Sequence, residues 1–236
     1  MPNLDIFLSP LLVDSQKREY DVYVVIDLFR ATTAFCTAFH YGIKEIIPYA
    51  DVEDARKMKD KGFLIAGERN GDKIEGVDFG NSPFGFMTDS IRDQSLAFTT
   101  TNGTRCIDMV KSKGVVVIAS FNNVSTVVRY LIDKQKNVAL VCSGWKGMPN
   151  IEDSICAGAI AEELLKDNFE AVEDSVFMCR DLYLNSRGNE LEFIVKNSAR
   201  VGARMNLLED DFKKCMEKDI YNVCPILKDD IIINIM

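Results

Sequence analysis

The sequence predicts an α/β fold, a three-layer α/β/α arrangement with a mostly parallel or mixed sheet and a helical C-terminal portion. Three observations carry this. Over the first 170 residues short β-branched runs alternate with amphipathic segments, the pattern of strands joined by crossover helices. The runs Val22-Tyr23-Val24-Val25-Ile26, Val115-Val116-Val117-Ile118-Ala119 and Val138-Ala139-Leu140-Val141-Cys142 lack polar alternation, as strands covered on both faces do. From about residue 173 onward the periodicity becomes helical.

Strands are expected at 4–8, 22–26, 45–48, 62–66, 96–99, 115–119 and 138–142. Helices are expected at 31–41, 52–61, 83–91, 103–112, 124–134 and 151–166, then at 175–186, 189–205 and 209–218. Several boundaries have a mechanism. Gly42 suits the left-handed stop of the first helix, and Asp51 can cap the second. Ser82-Pro83 has the form of an N-cap followed by proline at the first helical position. Asn150 with Asp153 approximates a capping box. Residues 223–233 read as two strands around a short turn. The absence of repeats or a Pro/Ser-rich linker favours one compact domain over 1–236, with residues 173–236 completing the fold; a two-lobed arrangement is the alternative.

At 236 residues the chain is long enough to fold around its own core without disulfide or metal staples. Its 28 basic and 36 acidic residues give a net charge of −8, and no basic stripe interrupts that balance, so a nucleic-acid partner is not expected. No apolar run approaches the roughly 20 residues that span a bilayer, so no membrane association is expected. Met1-Pro2-Asn3-Leu4-Asp5 has no basic region leading into a long apolar stretch, and a cytoplasmic protein is expected. The seven cysteines form no C-x-x-C pair and mostly sit among apolar residues, as buried thiols in a reducing compartment do. The single histidine, His40, excludes every two-histidine metal site and is placed at a helix end. Catalysis, if present, must rely on carboxylates, Arg, Lys, Asn and Thr.

Open α/β sheets bind ligands beyond the carboxyl ends of their strands, and five such places carry unusual polar groups. The first, Asp27-Leu28-Phe29-Arg30-Ala31-Thr32-Thr33, delivers a carboxylate, an arginine and two hydroxyls at a helix mouth. The second, residues 67–83, is a long charged connection with Glu68, Arg69, Asp78 and Asn81, and its glycines permit positive φ or close approach of backbone to ligand. The third, Thr99-Thr100-Thr101-Asn102-Gly103-Thr104-Arg105, is a plausible anion cradle with an arginine fork. The fourth, Ser120-Phe121-Asn122-Asn123, reads equally as a helix cap. The fifth places Trp145 and Lys146 in a Gly-rich loop ahead of Glu152-Asp153, where metal binding competes with helix-dipole compensation. Mutually repelling carboxylates interleaved with Arg and Asn suggest a hard cation, Mg²⁺ by preference, and a small polyanionic phosphate ester.

These motifs, Val25-Ile26-Asp27 with Arg30-Ala31-Thr32-Thr33, Gly67-Glu68-Arg69-Asn70-Gly71, Gly80-Asn81-Ser82-Pro83, Thr100 to Arg105 and Glu152-Asp153, resemble those of the 2-phosphosulfolactate phosphatase family. The resemblance runs in order across about residues 20–165. It implies an α/β fold and Mg²⁺-dependent hydrolysis of 2-phospho-3-sulfolactate to 3-sulfolactate and phosphate, in that family a step towards coenzyme M. Mg²⁺ would be held by Asp27 with Glu68 and one of Glu152 or Asp153. Arg30, Arg69, Arg105 and Lys146 would bind the phosphate, carboxylate and sulfonate, while Thr33, Asn81 and Asn102 orient oxygens. The nucleophile is a water or a carboxylate; Asp27 lacks the Asp-x-Asp pattern, which favours water, with Asp153 or Glu152 as the base. The competing expectations are a phosphatase for another 2-hydroxy acid phosphate, such as phospholactate or phosphoglycolate, and a non-catalytic anion-binding protein. A homo-oligomer is compatible with all three.

Overall fold

The computed structural model describes residues 1–15 and 17–236. Its strands are β1 (Asn3–Phe7), β2 (Val22–Ile26), β3 (Glu45–Tyr49), β4 (Leu64–Arg69), β5 (Asp72–Lys73), β6 (Ser95–Thr99), β7 (Val115–Ala119), β8 (Val138–Cys142), β9 (Glu170–Ala171), β10 (Pro225–Lys228) and β11 (Ile231–Asn234). They form one mixed sheet in the order β5-β4-β6-β3-β11-β10-β7-β2-β8-β1-β9. β4, β6 and β3 are mutually parallel, as are β7, β2, β8, β1 and β9.

The C-terminal hairpin β10–β11 is wedged between these two blocks, antiparallel to β7 on one side and to β3 on the other. Those pairings set the two parallel blocks in opposite senses along the sheet. Twist of about 20–25° per strand accumulates to roughly 100–125° over the five steps from β6 to β2. The loops that follow β6 and β2 therefore still meet, as Gly103 shows: a Cβ built there would lie 2.8 Å from Asp27 Oδ2.

Helices cover both faces. Val22, Val24 and Ile26 of β2 pack on one side with α4 (Val124–Lys134), α5 (Ile151–Lys166) and α6 (Asp174–Ser186). Tyr23 and Val25 turn to the other side, where α1 (Ala31–His40) and α3 (Gly103–Val110) lie. This two-faced burial is why the central strands read as unbroken apolar runs. α2 (Val52–Lys57) covers β4 and β6 with a smaller cluster around Ile65 and Ala97. α5 and α6 approach at Gly158, where a Cβ would stand 2.0 Å from the Cys179 carbonyl oxygen.

Asp51 and Asn150 cap their helices through side-chain oxygens, and Gly42 is left-handed at φ 95°. All seven cysteines are buried thiols. Asn123 reaches back to the Ser120 N–H while Ser120 caps the following turn, so the fourth polar site is a helix start.

Three expectations are corrected. Residues 83–91 form two short 3₁₀ turns, Pro83–Phe86 and Asp89–Ile91, because Gly85 weakens a helix and Thr88 accepts the Ser90 N–H to start a new turn. The helix expected at 189–205 is two, α7 (Glu190–Asn197) and α8 (Ala199–Gly202), the break falling where Ser198 accepts the Val201 N–H as an N-cap, and the helix expected at 209–218 is α9 (Met205–Met216). The long connection at 67–83 begins inside β4 and turns back as the β4–β5 hairpin, so Glu68 and Arg69 belong to a strand.

Candidate functional site

A narrow cleft opens at the strand ends, lined by Asp27, Phe29, Arg30, Glu68, Asn81 and Asn102 from the α/β part, by Trp145, and by Arg200, Arg204 and Phe212 from the C-terminal helices. Asp27 follows the last residue of β2 and is buried. Its turn is closed by threonines: the Asp27 N–H donates to Thr32 Oγ1 at 3.1 Å, and the Thr33 hydroxyl donates to the Leu28 carbonyl at 3.0 Å. Thr33 therefore builds the turn and does not line the cleft. Burial first, and then the charge of Glu68, pushes the Asp27 carboxyl up to about 7, against the opposing Ala31 N–H.

Glu68 stitches two loops together, accepting the Thr101 N–H at 2.6 Å and the Gly71 N–H. Arg30 is buried and held from two sides. One of its terminal nitrogens pairs with Asp211 and the other donates to the Gly71 carbonyl at 2.8 Å. Ser82 in turn donates to the free oxygen of Asp211 at 2.6 Å. Loss of one partner from such a buried pair costs about 3–5 kcal/mol, so Arg30 is a fixed rather than a roaming cation. Ser82, expected as a helix cap, spends its hydroxyl here.

Two adjacent carboxylates at the start of α5 have different fates. Asp153 accepts from the Leu28 N–H at 2.8 Å, the Gly144 N–H at 3.0 Å and Asn150 Nδ2 at 2.9 Å. It ties the β2 turn to the loop after β8, and its oxygens are occupied. Burial above all, then Asp27 and Glu152, holds its carboxyl well above the usual range. Glu152 pairs with Arg200 through one oxygen, while its Oε2 is buried without any hydrogen-bond partner. Burial raises this carboxyl too, with Arg200 opposing.

The remaining expected residues separate. Asn81 and Asn102 line the cleft. Arg69 turns away, donating to the carbonyls of Glu68 and Ala50 and to Thr99 Oγ1 at 2.8 Å. Arg105 and Lys146 lie on a neighbouring cavity beyond Asn102. In their place stand two arginines outside the expected set, Arg200 and Arg204. Arg200 lies 4.8 Å and Arg204 5.6 Å from the Trp145 ring centroid, and Arg204 also donates to the Asn70 carbonyl at 2.6 Å. Gly71 is needed there for its left-handed φ of 93°, and a Cβ would also push the Arg204 guanidinium aside. The one trace of this pair in the sequence is their i,i+4 spacing in a segment near Asp211, which reads as a solvated helix face.

Among the described residues, no three carboxylate, histidine or cysteine side chains converge as a metal cage. Mg²⁺ is commonly bound through only one or two carboxylates, with water and substrate phosphate completing its shell. Asp27 and Glu68 meet that requirement: both face the cleft, and their mutual repulsion is part of what raises Asp27. Glu68 holds one N–H on each oxygen and keeps lone pairs toward the cleft, whereas Asp153 accepts three such bonds and does not line the cleft.

A mixed α/β sheet with carboxylates and fixed arginines gathered at its strand ends places the chain among α/β enzymes acting on small anions. The sequence profile of the 2-phosphosulpholactate phosphatases matches residues 7–230. A Clostridium novyi protein named "Probable 2-phosphosulfolactate phosphatase" is 34% identical over 226 residues, covering 94% of this chain and 95% of its own. Proteins of the same name from Caldanaerobacter subterraneus and Thermotoga petrophila are 36% and 37% identical, covering 93% and 86% of this chain and 92% and 88% of theirs. The chain belongs to the 2-phosphosulfolactate phosphatase family, whose members are phosphoric monoester hydrolases.

Proposed function

We propose that this enzyme hydrolyses 2-phospho-3-sulfolactate to 3-sulfolactate and phosphate with Mg²⁺ as cofactor. The observation that carries this is the cleft's charge pattern: three arginines from separate elements, Arg30, Arg200 and Arg204, face two buried carboxylates across a space lined by asparagines. A substrate bearing phosphate, carboxylate and sulfonate on three carbons supplies three anionic ends for that array.

Asp27 and Glu68 would hold Mg²⁺, which neutralises charge on the phosphate oxygens when bound. Arg30, immobilised by Asp211, offers a preorganised fork to the phosphoryl group. Arg200 and Arg204 take the organic anions, and Asn81 and Asn102 orient oxygens from the flank. The stacked rings of Phe29 and Phe212, 4.5 Å apart, close one wall against solvent. Glu152 is the better base of the adjacent pair, since Oε2 has no other partner and Asp153 is fully engaged. Its raised affinity for protons suits removal of a proton from an attacking water near neutral pH.

The test is phosphate release from 2-phospho-3-sulfolactate, with Mg²⁺ and with excess EDTA, against phospholactate and phosphoglycolate. Metal-dependent turnover that prefers the sulfonated ester is expected. Equal rates on all three esters would overturn the assignment of substrate, and full activity in EDTA would overturn the metal.

A further inference from the structure

A second cavity, of about 300 Å³, lies beside the cleft and is bounded by Thr101, Asn102, Arg105, Ser143, Lys146 and an apolar wall of Leu11 and Met109. The loop after β8 is the partition between the two. Trp145 and Met148 exchange backbone hydrogen bonds of 2.8 and 3.0 Å, closing a tight turn with Lys146 at φ 53° and Gly147 at φ 82°. Trp145 thereby faces the cleft while Lys146 faces the second cavity. Asn102 borders both spaces, its Oδ1 accepting the Lys146 N–H at 3.2 Å. Ser9 anchors the far side by donating to the Gly147 carbonyl at 2.7 Å.

Two features of these walls call for a ligand. Arg105 and Lys146 bring two cations to one side, and neither forms an ion pair among the described residues, unlike nearby Lys111 and Lys113. Ser143 closes the floor beneath them, only 2% exposed and with its hydroxyl turned to the Cys106 thiol. The apolar wall, finally, excludes a bare inorganic ion as the best complement and favours an anion on a short carbon chain.

We propose that this cavity is a second anion-binding site, in which Arg105 and Lys146 receive the sulfonate or carboxylate of a small organic acid. The proposal stands on the cavity's own walls and draws on the phosphatase reading only to decide where the anion comes from. It is either the far end of the substrate reaching past Asn102 or a separate organic anion.

Sulfoacetate, which carries both acid groups on two carbons and no phosphate, is the probe. Calorimetric titration of the full-length wild type should show binding that weakens ten-fold or more in Arg105→Ala and measurably in Lys146→Ala. The same binding should persist in Arg204→Ala, which takes an organic-anion partner out of the cleft. Arg105 and Lys146 are exposed, so both variants should keep the wild-type Tm. Affinity indifferent to Arg105 and Lys146, or lost only with Arg204, would overturn the site. Because binding is read without turnover, that failure is distinct from failure of the phosphatase reading. In kinetics on 2-phospho-3-sulfolactate, competitive inhibition by sulfoacetate with a KM raised by Arg105→Ala assigns the cavity to the substrate's own anion. Non-competitive inhibition that Arg105→Ala abolishes assigns it to a separate ligand.

Discussion

Replacing Asp27 by asparagine should make this enzyme more stable and nearly inactive at once. The Asp27 carboxyl, held up to about 7 by burial and by Glu68, is compared with an ordinary 3.8. At about 1.36 kcal/mol per unit, ionising it in the folded protein costs up to roughly 4 kcal/mol. The sign follows from the folded value lying above the unfolded one. The stabilising contribution of the protonated group is complete below about pH 4 and is lost as pH rises through 7. Asparagine has no charge to desolvate and keeps an oxygen for the Ala31 N–H. If relaxation leaves about 2–4 kcal/mol of that relief, the Tm at pH 8 in EDTA should rise by roughly 4–16 °C, at 2–4 °C per kcal/mol for this chain length. At pH 5 the gain should shrink by more than half. Mg²⁺ should raise the wild-type Tm at pH 8 and leave the variant unmoved, while phosphate release falls at least about 100-fold. Thermal unfolding by circular dichroism across pH, with and without Mg²⁺, reads all of this. A variant no more stable than wild type at pH 8, or one with a pH-independent difference, would refute the charge-stress account of the site.

Glu152→Gln should lower kcat by about 10²–10⁴ with little change in KM, since glutamine can still face Arg200 but cannot accept the water's proton; wild-type kcat would remove Glu152 as the base. Arg204→Ala should raise KM at least about ten-fold at unchanged Tm, and the emission of Trp145, the only tryptophan, should shift with it. Unchanged KM would take Arg204 out of substrate binding. Gly158→Ala should destabilise by at least about 3 kcal/mol in urea unfolding, because its methyl group would collide with the Cys179 carbonyl and part α5 from α6. A loss under about 1 kcal/mol would show that the helices can slide.

Legibility of the fold followed the range of the forces involved. The apolar runs of β2, β7 and β8 announced strands because sheet burial on both faces leaves no polar position, and those strands lie where expected. Local caps at Asp51 and Asn150 were equally visible, being decided within three residues. The 83–91 segment misled because its capping signal, Ser82-Pro83, was genuine as chemistry, but the Ser82 hydroxyl was claimed by Asp211, far along the chain. Within the site, Asp27, Arg30, Glu68, Asn81 and Asn102 were legible from polar residues interrupting apolar strands. Which of Glu152 and Asp153 was free was not, since both occupy the same helical turn and differ only in what surrounds them.

By itself, then, the sequence determined the α/β class, the strand ends at which chemistry collects and the acidic, arginine-rich character of the ligand site. Those properties are written in local pattern: apolar periodicity, turn residues and side-chain type. The tertiary structure alone decided that the terminal hairpin sits in the middle of the sheet between two opposed blocks, that Arg200 and Arg204 reach back over Trp145, and that Arg105 and Lys146 face a separate cavity. The physical reason is that strand order and side-chain convergence depend on pairings between residues far apart in the chain. Many registers of β10 and β11 satisfy the same local pattern, and only packing against the whole core selects one.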